Sequence, residues 1–253
     1  MNESTFYNYL LWLSFLLAAA VFTALFFINA PYGRHLRRGW GATIPNRVGW
    51  LIMESASALV FALFFWLGRA NWSPAGFVFL GMWEAHYIYR AFIYPFRIAD
   101  GRKKMPVVIM LMAFGFNCGN AYLNARYIFS FSGGYPATWL LEPRFIAGLV
   151  LFMIGYSIHL RADGALRSLR LPGEIGYKVP YGGLFRWVSC PNYLGEIIEW
   201  SGWALATWSV AGLTFALWTF ANLAPRARAN HLWYRSQFPD YPPERKALIP
   251  GIW

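Results

Sequence analysis

Between Phe6 and Ile28 the chain runs for 23 residues without a charged side chain, and further apolar stretches follow at about 49–67, 76–96, 105–125, 144–160, 193–208 and 210–224. A helix needs about 20 apolar residues to cross the hydrocarbon of a bilayer, where every backbone polar group must be paired within its own segment. The expected fold is therefore all-α: a polytopic membrane protein of seven transmembrane helices. The last two stretches are short and meet at a tight break near Trp208-Ser209. Composition agrees, with 58% hydrophobic, 20% aromatic and only 13% charged residues, where soluble domains carry roughly 25% charged. Trp and Tyr in such number suit interfacial belts. No long polar linker interrupts the series, so residues 1–253 read as one domain. The first run lacks a preceding basic region and is longer than a signal-peptide core, so it reads as a retained helix.

The loops set the orientation. Arg34, Arg37, Arg38, Arg47, Arg97, Arg102, Lys103, Lys104, Arg161, Arg167, Arg170, Lys178, Arg186, Arg226, Arg228, Arg235, Arg245 and Lys246 fall on one side. Arg69, Arg126 and Arg144 fall on the other, and Arg90 lies inside a stretch. Basic residues mark the cytoplasmic side, so the N-terminus is expected outside and the C-terminus in the cytoplasm. The protein is expected to be a multi-pass integral one, in the inner membrane if bacterial or the endoplasmic reticulum if eukaryotic. A net charge of +11 distributed between apolar segments does not make a nucleic-acid surface.

Ionisable side chains inside an apolar span are costly and by default functional. Glu54 sits in the second stretch, and Glu84, His86, Tyr87 and Arg90 in the third. Asn117, Asn120 and Asn124 fall on one helical face of the fourth, and Asn192, Glu196 and Trp200 share a face at the start of the sixth. The bland alternative for the asparagines is interhelical hydrogen bonding. A protonated carboxyl at Glu54 and a phenol at Tyr87 can each donate to a carbonyl oxygen. On the basic side, His159, Asp163, Arg167 and Arg170 line one face of a helix, followed by Leu171-Pro-Gly-Glu-Ile-Gly-Tyr177-Lys178 and Pro180-Tyr-Gly-Gly-Leu-Phe185. Gly and Pro give such a loop fixed turns, and Arg and Lys suit phosphate. No G-x-G-x-x-G after a strand, no Walker loop and no nucleophile elbow is present. The His, Cys and Asp residues show no metal-ligand spacing, so no metal is expected, and Cys118 and Cys190 read as isolated thiols.

The run Leu171 to Tyr177, Pro180 to Phe185, and Asn192-Tyr-Leu-Gly-Glu-Ile-Ile-Glu-Trp200 resembles the C-terminal half of the steroid 5α-reductase family. The tail continues it with Asn230-His-Leu-Trp-Tyr234, Phe238-Pro-Asp-Tyr-Pro242 and Arg245-Lys-Ala-Leu-Ile-Pro250. Earlier in the chain, Pro31-Tyr-Gly-Arg-His35, Glu54 and His86-Tyr-Ile-Tyr-Arg-Ala-Phe-Ile-Tyr94 agree more sparsely, and the last segment with its upstream Glu is the discriminating part. The resemblance implies a helical bundle that encloses NADPH from the cytosolic side, most of its motifs lying in 145–253, and that reduces the Δ4 double bond of a 3-oxo-Δ4 steroid or related enone. It implies that Glu54 and Tyr87 hold the 3-oxo group, with Met53, Phe116 and Trp200 around the substrate. It places Tyr32, Arg34, Arg90, Tyr94, Arg102, Asp163, Arg170, Tyr177, Lys178, Asn192, Glu196, Arg226, His231 and Tyr234 around the cofactor. The chain departs from the family pattern at Met53, where relatives often carry an amide, and at His159, where Asn is expected.

Two other readings share parts of these motifs. A membrane methyltransferase of the isoprenylcysteine type would use S-adenosylmethionine and the same C-terminal block, without needing Glu54 and Tyr87 together. A non-catalytic sterol- or lipid-binding protein would explain the aromatic interior but not the patterned loop. The expected partners are a lipophilic small molecule and membrane lipid, with no nucleic acid, and the protein is expected to be a monomer.

Overall fold

The computed structural model describes residues 1–97, 103–170, 174 and 176–253. Among these the chain forms seven helices: α1 (Glu3–Phe27), α2 (Asn46–Leu67), α3 (Pro74–Ile88), α4 (Val107–Arg126), α5 (Pro143–Ser168), α6 (Pro191–Thr207) and α7 (Val210–Gln237). α3 runs on through a wide π turn (Tyr89–Ile93) into a last turn, Tyr94–Arg97. The starts are written in the sequence. Asn2 and Ser73 accept hydrogen bonds from Thr5 N (2.9 Å) and Gly76 N (3.1 Å), and Pro74, Pro143 and Pro191 occupy first helical positions, where a missing N–H costs nothing.

Four helical segments, Glu3–Phe27, Asn46–Leu67, Val107–Phe131 and Pro143–Ser168, are long and apolar enough to cross a membrane. The other three fall short for visible reasons. α3 carries Glu84, His86 and Arg90, α6 has 17 residues, and α7 turns polar after Leu223. The exterior is apolar where a soluble protein would be charged: Tyr9, Trp12, Leu16, Phe27, Leu59 and Met112 all stand exposed.

α6 and α7 form the hairpin expected from the break at Trp208-Ser209. Trp208 takes a left-handed conformation (φ 46°), and Ser209 caps α7 by accepting from Gly212 N at 2.9 Å. α7 does not stop near residue 224, where its apolar run ends. It continues through Pro225 to Gln237, which aligns Arg226, Asn230 and Tyr234 on one face.

Two glycine pairs decide how α5 meets α6. Gly148 and Gly155 on one helix and Gly195 and Gly202 on the other are each two turns apart. A Cβ on Gly195 would sit 2.5 Å from the backbone nitrogen of His159, and one on Gly155 would strike the backbone of Glu199. Small residues let membrane helices approach backbone to backbone. One turn beyond Gly155 and Gly195 stand His159 and Glu199, so the same seam brings those two side chains together.

An antiparallel ribbon, β1 (Thr43–Pro45) against β2 (Lys104–Pro106), joins the loop after α1 to the start of α4, pairing Ile44 with Met105. Strands of three residues leave no period-two pattern to read, and an isolated parallel bridge between Val188 and Lys246 is a second extended pairing. The C-terminal tail folds back over the loop before α6. Ser189 N donates to Lys246 O (2.8 Å), and Ser189 Oγ meets both His231 Nδ1 (2.7 Å) and the Tyr241 hydroxyl (2.6 Å).

The core is aromatic. Phe61 stacks on Trp83 at 4.4 Å, and Trp83 packs against Trp200 and Trp203. Trp203 Nε1 donates to Asn124 Oδ1 (2.9 Å), and Asn124 Nδ2 donates to the Asn120 carbonyl (3.0 Å) and side-chain oxygen (3.1 Å). Asn124 is thus interhelical glue, braced within its own helix by Asn120, whereas Asn117 belongs to the site.

Candidate active site

Two cavities adjoin in the half of the bundle nearest the basic loops. The first, about 240 Å³, is polar. It is lined by Tyr32, Arg34, Arg90, Tyr94, Arg170, Tyr177, Lys178, Asn192, Arg226 and Tyr234, and also by His35, Asn46, Trp50, Lys103, Lys104, Tyr193 and Asn230. The extension of α7 supplies Arg226, Asn230 and Tyr234, the ribbon delivers Lys104, and α6 begins here with Asn192 and Tyr193. Seven of the lining residues are Arg or Lys, and none is Asp or Glu.

Arg34 and Arg226 are held by rings and neutral groups rather than by acids. The Arg34 guanidinium lies over Tyr177 (5.0 Å), Trp233 (4.8 Å) and Tyr234 (4.5 Å), and its Nη1 is buried without a protein partner. Arg226 donates to Asn222 (3.0 Å) and the Tyr193 hydroxyl (3.0 Å) and lies over the Tyr32 ring (4.8 Å). A buried guanidinium nitrogen with no acceptor and several aligned cations are what a polyanion, such as the phosphates of a dinucleotide, would complete. Burial holds the His35 ring below its ordinary pKa, so a neutral imidazole meets Asn230 Oδ1 at 3.1 Å. Burial likewise pushes the Cys190 thiol up to about 11, which leaves it a protonated packing group.

The second cavity, about 320 Å³, is mainly apolar. Met53, Phe116, Trp200, Phe215 and Trp218 form its walls, and Glu54, Tyr87, His86, Asn117 and Glu196 bring polar groups to it. Tyr32, Trp50, Arg90, Tyr193 and Arg226 line both cavities, so the two share a boundary. Asn117 Nδ2 donates to the Met53 carbonyl (2.6 Å) and to Glu54 Oε2 (3.3 Å), which fixes the carboxyl at the cavity wall.

Arg90 crosses the boundary. It lies over Trp50 (4.5 Å) and Tyr94 (4.8 Å) and pairs with Asp163 (3.4 Å) and Glu196 (3.4 Å). Beneath it lies a buried cluster. His86 Nδ1 is 2.7 Å from Glu199 Oε1, and His159 stands between Glu199 Oε2 (3.5 Å) and Asp163 Oδ2 (3.2 Å).

The expected residues divide accordingly. Glu54, Tyr87, Met53, Phe116 and Trp200 gather around the apolar cavity. Asp163 does not line the polar cavity but anchors Arg90 and Asn192, the latter donating at 3.4 Å. Glu196 faces the apolar cavity, and His231 bonds Ser189 beneath the tail. Arg102 lies outside the described residues. Sequence reading passed over Trp50 and Asn46 on the polar side and Asn117 as a partner of Glu54. Trp50 could have been found one turn before Glu54, whereas nothing local marks Asn46. His86, His159 and Glu199 bring possible ligand atoms within 4.8 Å of one another, a grouping that residues so far apart in sequence could not announce. The 2.7 Å between His86 Nδ1 and Glu199 Oε1 is a hydrogen-bond length. Two ligands on one zinc ion would lie about 3.3 Å apart, so the arrangement is a hydrogen-bonded pair.

Residues 103–253 match the family described as 3-oxo-5-alpha-steroid 4-dehydrogenase. The chain is 43% identical over 256 residues to steroid 5-alpha-reductase DET2 of Gossypium hirsutum, covering 100% of this chain and 99% of that one. It is 39% identical over 257 residues to DET2 of Arabidopsis thaliana, covering 99% and 98%. It is 40% identical over 227 residues to 3-oxo-5-alpha-steroid 4-dehydrogenase 1 of Homo sapiens, covering 88% and 86%. With its polar and apolar cavities meeting at Arg90, and with relatives matched from end to end, this chain belongs to the steroid 5α-reductase family.

Proposed function

We propose that this protein is a multi-pass membrane reductase that uses NADPH to saturate the Δ4 double bond of 3-oxo-Δ4 steroids, acting as a monomer. Its seven helices cross the bilayer with the N-terminus outside and the C-terminus in the cytoplasm. The observation that carries the reading is the joined pair of cavities, one cationic without carboxylates and one apolar with Glu54 and Tyr87 on its wall. Family membership supports a nicotinamide cofactor. The phosphorylated form is the better match to seven lining cations, because it carries one phosphate more than its unphosphorylated counterpart. A methyltransferase would have no use for two donors beside an apolar cavity, and a passive binder would have none for the cations.

When bound, the reduced nicotinamide supplies a hydride to the β-carbon of the enone. Negative charge then grows on the 3-oxo oxygen. The Tyr87 hydroxyl and a protonated Glu54 donate to that oxygen, with Asn117 holding the carboxyl in place. The surrounding aromatic wall excludes water and strengthens both interactions. Arg34, Arg170, Lys178 and Arg226 hold phosphate, and the aromatic rings beneath the three arginines keep their guanidinium planes in position.

Purified protein supplied with NADPH and a panel of 3-oxo-Δ4 steroids should yield products two mass units heavier. Failure with every steroid, by protein that retains NADPH, would overturn the reading. Replacing Arg226 by Ala should weaken NADPH binding about 10–100-fold, the worth of a charge-assisted hydrogen bond. Steroid affinity measured with saturating cofactor should change little. Unchanged NADPH affinity would remove Arg226 from the cofactor site.

A further inference from the structure

Saturating an enone requires one hydride and one proton, and the two donors on the 3-oxo oxygen leave the proton for the α-carbon unassigned. We propose that His86 is the catalytic acid that protonates C4, and that Glu199, itself flanked by His159, holds the ring for that transfer. The proposal rests on the reductase reading above.

Position is the first argument. C4 is one bond from C3, so its acid must stand beside the groups that hold the 3-oxo oxygen. His86 adjoins Tyr87, their ring centroids are 5.0 Å apart, and both line the apolar cavity. The Nδ1 of His86 is taken by Glu199, which leaves Nε2 as the ring nitrogen that can face the cavity.

Support is the second. Glu199 Oε1 meets His86 Nδ1 at 2.7 Å. On the far side of Glu199, Oε2 lies 3.5 Å from His159 Nδ1, and His159 Nε2 lies 3.2 Å from Asp163 Oδ2 and 3.7 Å from Glu196 Oε1. Neither nitrogen of His159 nor Glu199 Oε2 has a hydrogen-bond partner, so these are contacts between charges and not a proton path. α3, α5 and α6 together hold Glu199 against His86. Further titratable and charged groups border the cluster: Glu54 and Tyr87 on the substrate side, Arg90 on the boundary, Tyr156, whose ring centroid is 6.4 Å from that of His86, and Tyr89, whose ring centroid is 6.0 Å from that of His159.

The step balances. The Nε2–H bond of His86 breaks and a C–H bond forms at C4, while Nδ1 keeps its proton on the Glu199 carboxylate. Nε2 takes a proton back from water that enters the apolar cavity when the product leaves.

The test uses purified full-length enzyme, NADPH deuterated at the transferring position, and reaction in H2O and D2O. Wild type should place the cofactor's deuterium at C5 and the solvent's at C4. Replacing His86 by Ala should lower kcat by about 10²-fold, the lower end of general acid catalysis. It should also enlarge the solvent isotope effect, and added imidazole should restore part of the rate. Glu199→Gln leaves a neutral partner on His86 Nδ1, and it should also raise the solvent isotope effect while NADPH affinity holds. A drop in kcat that tracks lost NADPH binding, with an unchanged isotope effect and no imidazole rescue, would make His86 structural and sink the proposal. So would wild-type kcat in His86→Ala. Absence of any reduced steroid from wild type would instead fell the reductase reading itself.

Discussion

Replacing Tyr87 by Phe should lower kcat by about 10²–10³-fold, the loss typical of removing one donor from a developing oxyanion, while NADPH affinity changes less than about twofold. The substitution deletes one hydroxyl and keeps the ring that packs on Trp83 (5.0 Å) and Trp200 (5.8 Å). Its cost therefore reports the hydrogen bond and not the packing. Glu54→Gln should cost less, because an amide N–H still donates to the 3-oxo oxygen but is a far weaker acid than a carboxyl. Glu54→Ala should approach the loss seen for Tyr87→Phe and leave Asn117 with only the Met53 carbonyl to meet. The losses should appear in kcat and kcat/KM alike, since the interaction strengthens only as charge develops. Stopped-flow oxidation of bound NADPH on mixing with steroid separates the chemical step from product release. Full activity in Tyr87→Phe would remove the phenol from the chemistry.

Much of this architecture is legible in the chain itself. Apolar stretches separated by basic loops can be counted, and the αL turn at Trp208 is foreshadowed by the break in hydrophobicity before Ser209. Charged residues inside apolar spans stand out because burial makes them costly, which is why Glu54 is legible, whereas Tyr87 is singled out as its companion only by the family pattern. Other parts depend on partners remote in sequence. α7 runs 13 residues past its apolar stretch, because its polar end is solvated by a cavity and a folded tail rather than by lipid. His231 carries a family motif, yet its ring nitrogen meets Ser189, 42 positions away. The network of His86, His159 and Glu199 joins three helices, and no spacing rule spans such a gap. Asn117, Asn120 and Asn124 share a helical face, but only their neighbours separate the one that braces Glu54 from the two that support Trp203.

Adding a methyl group at Gly155 or Gly195 should be among the most damaging small changes in the protein. The new Cβ would meet the backbone of the facing helix, and backbone cannot rotate away as a side chain can. Overpacking of a core costs about 1–3 kcal/mol and occasionally more, and contact with backbone on both sides places Gly155→Ala and Gly195→Ala at or above the top of that range. Gly115→Ala on α4 provides the control. Its Cβ meets nothing within 4 Å, so the substitution should be neutral or stabilising by about 0.5–1 kcal/mol through helix propensity. Thermal unfolding in detergent should therefore show large drops for the two seam variants and none for the control. The seam also carries function, because His159 and Glu199 lie one turn beyond these glycines and Asp163 a further turn along α5. Separating α5 from α6 lengthens the 3.5 Å approach of His159 to Glu199 and shifts the acid that anchors Arg90. Any folded fraction of Gly195→Ala should accordingly lose both NADPH affinity and turnover, whereas Tyr87→Phe loses turnover alone. Wild-type stability in Gly155→Ala would mean that the two helices are not held at backbone contact, and the placement of the whole buried cluster would have to be redrawn.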